Sequence, residues 1–166
     1  MILGLPTATF ALIHLFLMLF GIAFGFIVVF GLLTARRLPV FTALFLSTTA
    51  LACLSGFLFP FQGMTLSIEM AIPTLAVLLL AAIERYTGIF AGMWRHTYVV
   101  CVMAALYCTV FVLVAQLFAR YLAPNARTPW EYGRLYNLAQ FAVFAAFAVV
   151  TYFALKRFRS RPGHKV

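Results

Sequence analysis

The sequence predicts an all-α integral membrane protein with five transmembrane helices, the N-terminus out and the C-terminus in. Composition comes first: of 166 residues, 66% are apolar and only 9% charged, where soluble domains run near a half and a quarter. Mean hydropathy is +1.08. The apolar residues also fall into five long runs, each near the ~20 helical residues needed to cross a hydrocarbon core of ~30 Å. Finally, the basic residues gather on alternate connectors. A chain this small folding in water would need far more polar surface to cover its core. A soluble enzyme, a nucleic-acid-binding module and a disordered tail are therefore excluded. The net charge of +9, from 12 Lys and Arg against 3 Asp and Glu, points to anionic lipid headgroups instead.

One transmembrane domain, residues 1–166, accounts for the whole chain. The first span covers about 9–33 and closes at Thr34-Ala35-Arg36-Arg37, with Pro39 barring continuation. Its length and its lack of a basic flank distinguish it from a cleavable signal peptide. The second covers about 40–59 and stops at Pro60; Gln62-Gly63-Met64-Thr65 follows as an external turn. The third, about 69–91, carries Pro73 early and is interrupted by Glu84 and Arg85. Residues 70–83 alone number 14, too few to cross. This span works only if Glu84 faces protein or water and Arg85 snorkels to the interface. Trp94-Arg95-His96 reads as a short basic connector to the fourth span, about 97–118. The longest loop, 119–134, holds Pro124, Pro129, Tyr121, Trp130 and Tyr132. The fifth span covers about 135–155, before a basic tail, 156–166. The runs are apolar on all sides, unlike the alternating strands of a β-barrel, and no internal repeat is visible.

Orientation follows from counting. One side carries Arg120, Arg127 and Arg134; the other carries Arg36, Arg37, Arg85, Arg95, Lys156, Arg157, Arg159, Arg161 and Lys165. The positive-inside rule puts the larger set in the cytoplasm. Arg36, Arg37, Arg95, Lys156, Arg157, Arg159 and Arg161 are the expected lipid-headgroup contacts.

Polar and small residues inside the spans are the candidate functional or packing positions. On the first span His14, Met18, Gly21 and Gly25 share a stripe. Gly21-x-x-x-Gly25 lets a neighbouring helix approach, and His14 is expected to bond a neighbour. His14 as a haem or quinone ligand is the sharper alternative. A bis-histidine haem is geometrically poor, because His96 and His164 lie at the opposite face. The second span carries Thr42, Ser47, Thr48, Thr49, Ser55 and Gly56, expected as interhelical glue. On the fourth, Cys101, Ala105, Cys108 or Thr109, and Gln116 share a face; on the fifth, Asn137, Gln140, Phe144, Phe147 and Thr151 do. Gln116 is expected to bond Asn137 or Gln140, with His14 completing an outer polar cluster.

Glu84 is the most informative residue, since a carboxylate within a span is expensive and is paired or functional. Its expected partner is Arg36, Arg37 or Arg95; Arg85, adjacent in sequence, points elsewhere on the helix. Proton handling and headgroup contact are the alternatives. Cys53, Cys101 and Cys108 lie in apolar runs without metal spacing, so no metal site is expected. No phosphate loop, zinc-protease motif or nucleophile elbow is present, and the chain contains no Asp.

Several of these segments resemble a known family. They are Thr42-Ala43-Leu44-Phe45-Leu46 through Gly56-Phe57-Leu58-Phe59-Pro60-Phe61, then Tyr98-Val99-Val100, and Ala104-Ala105-Leu106-Tyr107 with Val110-Phe111-Val112-Leu113-Val114 and Gln116. The closing Arg157-Phe158-Arg159 belongs with them. The family is one of small uncharacterised bacterial multi-pass inner-membrane proteins, and the likeness covers about residues 40–160. It implies a bacterial inner-membrane location and the helical fold, and carries no activity with it. It also implies a His-containing motif opening the third helix and an Asn two residues after the Tyr of the fourth. Ile68 and Thr109 stand there instead, so a ligand role resting on those positions does not carry over.

Three functional expectations stay open. The first is an accessory or structural subunit, without recognisable catalytic machinery, packing against a larger membrane complex; its supports are the small-residue seam and 19 Phe. The second is a small transport or proton-linked protein using Glu84. The third is a redox module holding quinone or haem near His14. No cofactor is required by the first two. Membrane lipids, and a membrane-protein partner or a second copy, are the expected partners; nucleic acid is not.

Overall fold

A computed structural model of the chain describes residues 4, 6–59, 66–87, 93–122 and 132–157. Five helices follow one another: α1 (Thr7–Leu33), α2 (Pro39–Gly56), α3 (Leu66–Thr87), α4 (Met93–Leu117) and α5 (Gly133–Arg157). Each is long and apolar enough to cross a membrane. Side-chain bonds between the helices establish their directions. His14, early in α1, meets Ser55 at the end of α2 at 2.8 Å. Arg85, late in α3, donates to the Pro39 carbonyl that opens α2 at 2.8 Å. Gln116, late in α4, donates to Ser67 at the start of α3 at 2.9 Å. Gln140, early in α5, donates to the carbonyl of Phe111 in α4 at 3.1 Å. Successive helices are therefore antiparallel. Arg36, Arg37 and Arg85 share one end of the bundle (the basic end) with the last turn of α5; His14, Gln116 and Gln140 lie toward the other.

Local chemistry explains the helix boundaries. α1 ends in a Schellman turn: Arg36 N–H bonds the Gly31 carbonyl at 2.8 Å and Ala35 N–H the Leu32 carbonyl at 3.3 Å. Ala35 takes the left-handed position, φ +52°, where glycine is usual because it has no Cβ to crowd the backbone. A Cβ on Gly31 would sit 3.0 Å from the Arg36 carbonyl oxygen, so this glycine lets the turn fold back and delivers Arg36 and Arg37 beside α2. Pro39 starts α2 where its missing N–H costs nothing. In α3, Pro73 donates no backbone bond; beside it Thr74 turns its hydroxyl onto the Met70 carbonyl at 2.6 Å.

Several boundaries depart from the sequence expectation. α4 begins at Met93, not near 97, so Trp94-Arg95-His96 forms its first turn and is no connector; nothing there breaks a helix. A π-type turn, Phe118–Leu122, prolongs it into the expected loop. α5 starts at Gly133 and runs to Arg157, and α2 ends at Gly56, three residues before 59. The turn expected at 62–65, the central part of the 119–134 loop, and the tail with Arg159 and Arg161 lie outside the described residues.

Phe45, Ala81, Val102, Ala105 and Leu106 are fully buried where α1, α2, α3 and α4 meet. The glycine seam lies there. A Cβ on Gly25 would come within 2.5 Å of Leu106 Cδ1 and 3.0 Å of Phe45 Cε2; one on Gly21 would come within 2.8 Å of Thr49 Oγ1. Both glycines face protein, as the stripe predicts. Gly56 is looser, its Cβ position 3.6 Å from His14 Cε1.

Candidate functional site

α3 buries a stripe along α4 made by Ala71, Thr74, Leu78, Ala81 and Glu84. Spacings of three and four residues stack these side chains on one face. Glu84 is therefore drawn into the α3–α4 contact and is 2% exposed. Neither of its carboxyl oxygens has a hydrogen-bond partner among the described residues. The thiol of Cys101 on α4 lies within electrostatic range. The expected ion pair with Arg36 or Arg37 is not formed, and the Arg95 side chain lies outside the described residues. The reason is angular: Glu84 points at α4, whereas Arg36 and Arg37 stand on the turn between α1 and α2. Arg85, about 100° further round α3, points toward that turn instead.

The three arginines meet around a cleft of about 300 Å³ at the basic end. Arg36, Arg37 and Arg85 supply its charge, Tyr86 and Tyr98 its aromatic walls, and Val28, Leu32 and Leu38 its apolar lining. Arg85 is held in place there. One terminal nitrogen donates to the Pro39 carbonyl, and its guanidinium lies 5.7 Å from the Tyr86 ring centre. Its Nε is buried with no acceptor among the described residues. Their sequence positions put Arg36 and Arg37 at headgroup level but do not join them to Arg85. The one available signal was that all three fall on the same side of the membrane. Lys156 and Arg157 are exposed at the same end, Lys156 Nζ lying 4.5 Å from the Tyr152 ring centre.

At the other end the expected polar cluster separates into independent pairs. His14 Nδ1 bonds Ser55 Oγ, and its ring stands edge-on to Phe59 at 5.4 Å. Ser55 spends its only proton on the Ala52 carbonyl at 2.9 Å. With that proton so placed, His14 Nδ1–H is the donor of the pair. The neighbour expected for His14 is thus Ser55, next to the last residue of α2.

Gln116 does not meet Asn137 or Gln140. It lies on the side of α4 that faces α3 and pairs with Ser67. Gln140 is buried; its Nε2 donates to the Phe111 carbonyl and to the Tyr136 hydroxyl, both at 3.1 Å. Its Oε1 has no partner among the described residues. Asn137 is exposed. Thr109 is buried and bonds the Ala105 carbonyl of its own helix at 2.9 Å, so no ligand is required to satisfy it. Among the described residues no three His, Cys, Asp or Glu side chains converge as a metal site would need. Compared with family models, with curated proteins and with solved structures, the chain matches none.

Proposed function

We propose that the protein is an accessory subunit that packs against a larger complex in a bacterial inner membrane, its N-terminus outside and its C-terminus in the cytoplasm. The observation that supports this reading is the unequal packing of the helices. Half of the central window of α4 is buried within the chain, against 11% for α5. The outer face of α5 exposes Ala142 and Ala146 among Leu138, Phe141 and Val149. In a bilayer, hiding apolar surface from lipid gains nothing, so helices associate through close packing. Small residues one turn apart permit that approach. The occupant of this face is a transmembrane helix of another protein. The likeness to bacterial inner-membrane proteins supports the location, and the excess of basic residues at one end supports the orientation.

Extraction in mild detergent followed by native mass spectrometry tests the reading. The expected result is a complex of fixed stoichiometry containing a second membrane polypeptide, lost in Ala142→Trp and Ala146→Trp. Masses at whole multiples of 18.5 kDa would mean self-association and overturn it, as would a monomer alone.

A second reading, a proton-linked role for Glu84, is favoured by the lack, among the described residues, of any hydrogen-bond partner for its two carboxyl oxygens. A carboxyl group buried without a counter-ion is cheapest as the neutral acid. From that state it can release and regain a proton if the bundle opens. Proton flux in liposomes, present in wild type and absent in Glu84→Gln, is the outcome this reading requires.

A further inference from the structure

We propose that the cleft between the α1–α2 turn and the end of α3 is a built site for the phosphate of an anionic phospholipid headgroup. Arg36, Arg37 and Arg85 all line one cavity of about 300 Å³, and among the described residues no carboxylate lines it. Glu84, next to Arg85 in sequence, is buried against α4 and takes no part. Guanidinium groups present paired donors that match phosphate oxygens in geometry as well as in charge.

Arg85 is the pre-set member. The Pro39 carbonyl and the Tyr86 ring fix its plane. Two features favour a lipid over a free phosphate. The cleft stands at the end of the membrane-crossing helices, where headgroups lie. Its lining also continues into Val28, Leu32 and Leu38, apolar surface suited to a glycerol backbone and the start of an acyl chain. This site is independent of any partner on α5.

The test uses the full chain in phosphatidylcholine nanodiscs, with phosphatidylglycerol titrated in and lipid retention read by native mass spectrometry and thermal stabilisation. Wild type should retain phosphatidylglycerol. Arg85→Gln and Arg36→Gln should each weaken retention about tenfold, the value of a hydrogen bond to a charged group. Arg36 is exposed, so R36Q keeps the packing intact and answers the objection that R85Q might not fold. Lys156→Gln with Arg157→Gln, removing twice the charge of either single variant at the same end but outside the cleft, should leave retention unchanged. An equal loss in that double variant would show diffuse surface attraction and overturn the site. So would unaltered retention in both R85Q and R36Q. Equal protection by inorganic phosphate, lost in the same arginine variants, would overturn the lipid assignment in favour of a free anion.

Discussion

Glu84 and Thr49 show how little freedom a polar atom has once helix packing has buried it. Glu84 has no ion pair among the described residues, so Glu84→Gln should leave the melting temperature close to wild type. Removing one member of a true buried pair would instead cost ~3–5 kcal/mol. A loss of that size, restored by also neutralising Arg36 or Arg37, would show that a pair exists after all. Thr49 is 1% exposed and its hydroxyl has no partner among the described residues. Thr42, Thr74, Thr109 and Thr151 each bond a carbonyl four residues back. The Thr49 hydroxyl instead faces the backbone of Gly21. Thr49→Val keeps the shape and removes an unsatisfied group, so it should stabilise the bundle by about 1 kcal/mol. Chemical unfolding in detergent micelles would measure this, and a destabilised variant would mean that the hydroxyl has a partner.

Among the helices, the α1 seam decides how closely α1 meets α2 and α4. The three glycines on or near it are not equivalent. An alanine methyl at Gly25 would collide with Leu106 and Phe45, which are fully buried and cannot swing away. At Gly21 it would meet the Thr49 hydroxyl, and at Gly56 it would find ordinary contact distance. Gly25→Ala should therefore cost ~1–3 kcal/mol, the usual range for overpacking. Gly21→Ala should cost less and Gly56→Ala almost nothing. Thermal melting of the three variants checks the order; equal melting temperatures would mean that α1 turns this face to lipid. The glycine spacing made the seam legible in advance. Which glycine bears the closest contact was not, because that depends on where Leu106 of α4 arrives.

At the scale of the whole molecule, orientation is the testable property. With the larger basic set in the cytoplasm, single cysteines in the 123–131 segment, in a chain lacking Cys53, Cys101 and Cys108, should react with an impermeant maleimide in intact cells. A cysteine at Ser160 should react only after the membrane is opened. The reverse pattern would overturn both the orientation and the positive-inside argument behind it. If orientation holds, the arginine cleft opens toward the cytoplasmic leaflet, where anionic lipid makes a basic pocket most useful.

The five spans, their order and the segregation of charge were determined by sequence alone. A 20-residue apolar run admits one low-energy outcome in a bilayer, since every backbone group must be satisfied within its own helix. Helix ends followed equally local rules at Pro39 and the Arg36-Arg37 turn, and failed at Met93, where no breaker marks the start. Tertiary structure alone decided the partners: His14 with Ser55, Gln116 with Ser67, Arg85 with the Pro39 carbonyl, and Glu84 with none among the described residues. Spans apolar on every side give no signal of which face meets which neighbour. Side-chain pairing depends on that rotation about each helix axis, and only packing against the other four helices sets it.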